Sequence, residues 1–400
     1  MLTCYSKLEK SDLANRLRKI LAENQHLEWL ITKSIALAAF SNPEIDSNPV
    51  RTLDDWFDFI ERSLTLTPIS IEGSHSLRLY ERIDQGLDYF YFLLDQPLKE
   101  LNDKGYIHPS VQYVEPLCSW IKDYCKAWGT FLSSTDSWNQ EICETISNDL
   151  TFGVPQGWYE SSDNWKTYND FFSRKLCDDF QRPVIFKENS MVINSPADGW
   201  PQGIWRIDDD GSVCSSGSLI KSRIFTTVQE LLGEDSQHKD AFNGGILTHV
   251  FLDVNDYHRY HFPVSGFIRE VRKIEGNCSG GGVYKWNKAL KRYYLECSEP
   301  TWESIETRGC VVVENNELGL VALLPVGMSQ ICSVNFSEGV QVGNYVEKGD
   351  ELGYFLFGGS DFIIMFQKGV KFTPKYAVGG DGEGEHILFG QILGEVSFDK

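Results

Sequence analysis

The chain has 400 residues, with 37 basic against 57 acidic side chains and a formal net charge of −20 at pH 7. Apolar residues make up 42% and charged residues 24%, which supplies a real core and excludes a disordered or fibrous chain. So acidic a chain repels phosphate backbones and gains nothing from an anionic membrane surface, so no nucleic-acid partner is expected.

The opening MLTCYSKLEKSDLANRLRKI carries charges of both signs and no apolar signal core. The most apolar stretch, Ile31 to Phe40, holds Lys33 and Ser34 and falls short of the ~18–20 apolar residues that a membrane span needs. A cytoplasmic chain without a transmembrane segment is the expectation. Apolar residues then recur at helical spacing: Leu13, Leu17, Ile20 and Leu21 share one face. TLDDWFDFIERSL, RIDQGLDYFYFLLDQPLKEL and PLCSWIKDYCKAWGTFLSS read the same way, and Asp54 and Asp55 sit at the positive end of a helix dipole. Residues 1–155 are therefore expected to form a helical domain.

After Gly153 the pattern changes to short runs rich in Val, Ile and Phe, bounded by Gly, Asn or Asp. SMVINSPADGW, GGILTHVFLDV, GCVVVENNELGLVALLPVG, DELGYFLFGG and SDFIIMFQKG are examples, interrupted by one helical segment, FTTVQELLGED. VGNYVEKGDELGYF resembles a barrel-sandwich hairpin, with its turn at Lys348-Gly349-Asp350. Gly379 to Glu385 reads as an acidic loop. The expected fold is α+β: an N-terminal helical domain, then a mostly-β domain over 156–400 with a barrel-sandwich-like portion. Ten cysteines run from Cys4 to Cys332 without a CxxC pair or a tight Cys/His cluster. Free thiols are expected, with no structural zinc and no metal dependence.

Three segments could carry chemistry, though each alone reads most simply as a turn or a packed strand. His258 and His261 are two of only eight histidines, in DYHRYHFPVSG. On a strand their rings would face opposite ways; on the turn favoured by Pro263 and Gly266 both could reach one cleft. Asp198, in NSPADG, gains interest if it orients a histidine. Ser360 follows two glycines in FGGS, where glycine within β-like sequence marks a bulge or a close approach. A carboxylate, two imidazoles and a hydroxyl are the stock of an activated nucleophile. The G-x-S-x-G elbow is absent, because Phe362 stands two residues after Ser360.

In this order SPADG, DYHRYHFPVSG and FGGS resemble the signature regions of the phosphatidylserine decarboxylase family. Asn169 to Leu176 (NDFFSRKL), followed by Arg182-Pro183, resembles its opening segment, and the resemblance covers roughly residues 165–400. Membrane-bound members usually carry Leu-Gly-Ser-Thr where this chain has Gly358-Gly359-Ser360-Asp361. The phrase Trp128 to Ser134 (WGTFLSS) resembles the helical extension of soluble L-tryptophan decarboxylases of the same superfamily.

The resemblance implies a pyruvoyl-dependent carboxy-lyase that processes itself. Ser360 would attack the Gly359 carbonyl, giving a large and a small chain of one precursor and a pyruvoyl cofactor derived from Ser360. It implies that His261, oriented by Asp198, takes the serine proton, and that His258 protonates the product carbon after a Schiff base has released CO2. The first expectation for substrate is an aromatic, tryptophan-like L-amino acid, with Tyr284 and Trp286 of NCSGGGVYKW as stacking partners. The alternatives are phosphatidylserine, giving phosphatidylethanolamine, and a non-catalytic interaction module. Homo-oligomerisation is left open.

Overall fold

The computed structural model describes residues 2–70, 78–214, 226–296, 302–329, 333–377 and 384–398. The first long apolar stretch divides at Asn24 into α1 (Leu2–Glu23) and α2 (Gln25–Ser41), because the Asn24 side chain accepts the Leu27 amide at 3.0 Å and caps α2. Thr52 and Asp55 form a reciprocal capping box at the start of α3 (Leu53–Ser63). There follow α4 (Leu79–Leu94), α5 (Leu117–Leu132), α6 (Gln140–Ser147), α7 (Tyr168–Phe172) and α8 (Val228–Leu232). The second half of α4, from Leu87 to Leu94, is buried all round, as its near-continuous apolar sequence requires. No described helix is long and apolar enough to cross a membrane.

The strands begin with β1 (Val192–Asn194), β2 (Trp200–Ile207), β3 (Ser212–Cys214), β4 (Thr226–Thr227), β5 (Ile246–Leu252), β6 (Arg259–His261), β7 (Gly266–Ile274), β8 (Val283–Asn287) and β9 (Arg292–Glu296). They continue with β10 (Thr307–Asn315), β11 (Gly319–Met328), β12 (Asn335–Phe336), β13 (Tyr345–Val346), β14 (Glu351–Tyr354), β15 (Gly359–Phe366), β16 (Val370–Pro374) and β17 (Ile392–Phe398). The main sheet, a curled half-barrel, has the order β13-β7-β10-β11-β15-β5-β2-β3-β4. Two three-stranded sheets, β1-β17-β16 and β12-β14-β6, and the β8–β9 hairpin complete it. The α+β expectation holds.

One expected hairpin is not made. The Lys348-Gly349-Asp350 turn exists, with Gly349 at φ +95°. However, β13 pairs with β7 while β14 pairs with β6 and β12. Sequence separation suggested a local pairing; the strands on either side of the turn instead join different sheets. The Gly379–Glu385 loop lies outside the described residues except for its last two.

β15 lies inside the main sheet and divides its side chains between two cores, as a period of two dictates. Phe362, Ile364 and Phe366 enter a large cluster that runs without interruption into the helices. Ile363 and Met365 enter a smaller one with Val228, Leu231 and Val312. Ser360 therefore shares the face of Phe362, and Asp361 the face of Ile363. The helices are also tied to the β8–β9 hairpin by polar contacts. Gln85 Nε2 donates to the Tyr293 carbonyl at 2.8 Å, and Asp95 accepts the Tyr284 amide at 2.9 Å.

Candidate active site

Ser360 stands near the head of β15, paired across the ladder with Gly327 of β11 and Leu252 of β5. It is fully buried, and its Oγ has no hydrogen-bond partner. Gly358 before it has φ +152°, a conformation that a side chain would strain. The chain just upstream is clamped. Phe357 is buried edge-on against Trp128, Tyr168 and Phe172, and its amide donates to Asn169 Oδ1 at 3.1 Å. Thus α5 and α7 fix the approach to Ser360.

The same α7 segment holds the first histidine. The His258 ring stacks on Phe172 at 3.8 Å and is fully buried. Neither of its ring nitrogens makes a well-formed hydrogen bond. Burial, followed by the Arg174 guanidinium, holds its pKa well below the ordinary 6.5, while nearby backbone of Asp253 and Val254 opposes this. Arg174 itself donates to the carbonyls of Asn255 and Asp256 at 2.8 Å, which shapes the turn that leads into His258.

His261 lies elsewhere. Arg259 to His261 form strand β6, with His258 just before it, so the pair does not lie on the turn that Pro263 suggested. The His261 ring stacks on Phe389 at 3.7 Å. Nδ1 is 2.9 Å from the Gly349 carbonyl and so donates to it; Nε2 is 3.2 Å from the Tyr257 hydroxyl. Burial pushes its pKa down to about 4, against the Gly349 carbonyl, which favours the charged form.

Asp198 is not hydrogen-bonded to His261. Its carboxylate takes Arg182 in a fork, with Nη2 to Oδ2 at 2.8 Å and Nε to Oδ1 at 3.1 Å, and accepts the Phe389 amide at 2.7 Å. A buried carboxylate is better satisfied by a guanidinium than by a neutral imidazole. The expected orientation of His261 by Asp198 is thus replaced by one from Gly349. Neither imidazole is hydrogen-bonded to Ser360 Oγ.

Beside the head of β15 opens a cavity of about 410 Å³. Leu252 and Met328, the ladder partners of Ser360 and Gly359, form part of its wall. Tyr284 lines it as expected, stacked on Tyr91 at 5.6 Å. Trp286 does not; it packs on Tyr293, which does line the cavity, at 4.8 Å. Tyr284 and Trp286 share one face of β8, but Trp286 is paired across the hairpin with Tyr293, and it is Tyr293 that reaches the wall. Asp84, Asp88, Asp253 and Arg292 also line the cavity, and sequence reasoning missed all four. Burial pushes Asp84 up to about 7 and Asp253 up to about 6, and it holds Asp88 well above its ordinary value. Asp84 and Asp88 lay hidden in a helical pattern read only for its apolar face.

The family model for phosphatidylserine decarboxylase matches residues 168–395, more than half the chain. The chain belongs to the phosphatidylserine decarboxylase family. The phosphatidylserine decarboxylase proenzyme 2 of Oryza sativa is 32% identical over 206 residues, which cover 52% of this chain and 30% of the relative. The phosphatidylserine decarboxylase proenzyme of Clostridium novyi is 30% identical over 275 residues, covering 68% of this chain and 85% of the relative. An L-tryptophan decarboxylase of Psilocybe cubensis is 28% identical over 280 residues, 62% of each chain. The chain thus spans less than a third of the Oryza relative's length. The family match begins at Tyr168, within one residue of the NDFFSRKL segment. The fold gives that segment its work: Asn169, Phe172 and Arg174 place Phe357 and His258.

Proposed function

We propose that the chain is a self-processing decarboxylase that breaks the Gly359–Ser360 bond and acts on an aromatic L-amino acid. The observation that carries the processing is the buried Ser360 hydroxyl, bonded to nothing and preceded by two glycines. Its Oγ adds to the Gly359 carbonyl carbon, the C–N bond breaks, and an ester replaces the amide; elimination and hydrolysis then leave a pyruvoyl group. That group, once formed, supplies a carbonyl that condenses with the substrate amine and draws electrons from the bond to the carboxylate.

His261 takes the Ser360 proton in this reading. The Gly349 carbonyl fixes the proton on Nδ1 and leaves Nε2 basic, next to the Tyr257 hydroxyl, which offers a relay. Asp198 acts through Arg182 and Phe389, by holding the residue on which His261 stacks. His258 rests neutral in its aromatic slot; once it has taken up a proton, its depressed pKa makes the imidazolium a strong acid that passes that proton to the product carbon and returns to neutral.

The cavity supports a free amino acid. Asp84, Asp88 and Asp253 favour an ammonium group, Arg292 a carboxylate, and Tyr284 and Tyr293 a flat side chain. A phosphodiester would set a permanent negative charge beside carboxyls whose ionisation burial already opposes, and would give them no proton donor in return. Phosphatidylserine remains the second reading, favoured by the Oryza and Clostridium relatives. An interaction module would have no use for an orphaned serine in such a setting. A division at residues 155/156, a cytoplasmic location and a tight pair of large and small chains complete the proposal.

Intact-mass spectrometry and a substrate panel test it. Scaling 45.6 kDa by length gives chains of about 41 and 4.7 kDa for cleavage before Ser360. The small chain should resist Edman degradation, and Ser360→Ala should stay in one piece. CO2 release is expected from tryptophan or another aromatic amino acid and not from phosphatidylserine vesicles. A fully active single chain would refute the processing; turnover of the vesicles alone would refute the substrate.

A further inference from the structure

Local spacing of Cys and His gave no reason to expect a metal, yet the fold gathers three donors from distant segments. We propose that His249, Glu303 and Asp361 bind a first-row divalent cation, zinc by their ligand type, on the face of the main sheet opposite Ser360. The proposal stands whether or not the chain is a decarboxylase.

His249 comes from β5, Asp361 from β15 and Glu303 from the turn Trp302–Ser304. All three are buried, and their ligand atoms lie within 4.8 Å of one another. Glu303 is fully enclosed, and neither of its oxygens has a hydrogen-bond partner. The Phe362 amide donates to Asp361 Oδ1 at 2.7 Å, which turns Oδ2 toward His249. His249 Nδ1 is 2.7 Å from that oxygen, a close charge contact without the alignment of a good hydrogen bond. The Trp205 ring, 4.6 Å from the imidazole, packs against it.

Two carboxylates enclosed together repel each other, and a buried carboxylate without hydrogen bonds is costly. A dication supplies the missing charge and the missing bonds at once. Zinc bonds of about 2.0–2.2 Å put tetrahedral donors about 3.4 Å apart. Side-chain rotation that opens the close His249–Asp361 approach and draws in Glu303 reaches that spacing. One imidazole and two carboxylates suit zinc, and manganese(II) or iron(II) after it, with a water completing the set. Because Asp361 follows Ser360, the cation would pin the head of β15 to β5 and to the Trp302–Ser304 turn. It would thereby position the Gly359–Ser360 bond without touching it.

Metal content decides the matter. Full-length protein carrying Ser360→Ala is stripped with dipicolinate, incubated with equimolar zinc, gel-filtered and analysed by mass spectrometry of the elements. About one zinc per chain is expected, with a raised melting temperature. Glu303→Gln and His249→Gln should each cut the retained zinc about tenfold. X-ray absorption of the zinc form should show nitrogen and oxygen neighbours without sulfur, which needs no variant to fold. Retention below about a tenth of an equivalent of zinc, manganese(II) and iron(II) alike would overturn the proposal and leave a proton-sharing cluster. A sulfur shell, or folded variants that keep the full equivalent, would overturn it by placing the metal elsewhere.

Discussion

Replacing Arg182 by Met tests what Asp198 is for. The pair is almost sealed from solvent, with side-chain exposures of 2% and 3%, and its shortest contact is 2.8 Å. Removing the guanidinium leaves the carboxylate enclosed with only the Phe389 amide at 2.7 Å to satisfy it. Breaking such a pair costs about 3–5 kcal/mol. At ~2.1 cal/mol/K per residue the unfolding entropy of this chain is roughly 0.8 kcal/mol/K, so the loss corresponds to about 4–6 °C in melting temperature. Adding Asp198→Asn should return more than half of it, because the amide is uncharged and its oxygen still accepts from Phe389. Thermal melts on uncleaved Ser360→Ala protein give the stabilities, and gel-resolved processing of the matching Ser360 proteins gives the rates. The reasoning fails if Arg182→Met costs under about 1 kcal/mol. It also fails if Asp198→Asn slows processing equally with and without Arg182, for the carboxylate would then act on His261 directly.

His261→Ala should block chain cleavage, whereas His258→Ala should still cleave and decarboxylate ~10²–10⁴-fold more slowly; loss of cleavage in His258→Ala alone would exchange the roles. Because burial depresses His261 to about 4, the folded state refuses a proton that the unfolded chain accepts near 6.5. Its contribution is present above pH 6.5 and is lost as pH falls toward 4, about 3 kcal/mol in all. Raised carboxyls such as Asp253 work in the opposite direction, so the check is the difference between wild type and His261→Gln melts, which should shift against wild type by about 3 kcal/mol as pH falls across that window and level off below pH 4. Phenylhydrazine should abolish turnover in proportion to the pyruvoyl groups it traps; undiminished activity after full labelling would exclude a carbonyl mechanism.

Periodicity made the long helices and β15 legible, because burial there follows a period that the sequence repeats. Ser360, His258 and Tyr284 were singled out through motif or composition, and the fold buries the first two and sets Tyr284 in the cavity wall. What failed was pairing at a distance. The Lys348–Asp350 turn announced a hairpin, yet its strands found better partners in β7 and β6. Asp198 was matched to the nearest useful imidazole, while a buried guanidinium from Arg182 claimed it. Asp84 and Asp88 drew no reading from the helical pattern of α4, and it is the β8–β9 hairpin, tied to that helix through Gln85, that joins them in one cavity wall. In each case the deciding partner lies far along the chain and leaves no local mark.

Cleavage before Ser360 would cut the chain near the head of β15 and leave the rest of the strand in place. From Ser360 to Phe366 the strand is paired on both sides, with β11 and with β5. Phe362, Ile363, Ile364, Met365 and Phe366 are essentially solvent-free. At ~1.5–3 kcal/mol for each fully buried side chain, extracting them opposes separation by roughly 10 kcal/mol before any hydrogen bond is counted. β17 adds a second tie through its ladder with β1, on the other side of the cut. A free end at residue 360 therefore gains freedom only toward the cavity, where Leu252 and Met328 already stand. Seven paired residues would hold a new terminal group at the wall of that cavity, so the strand that would be cut would also position the product of the cut.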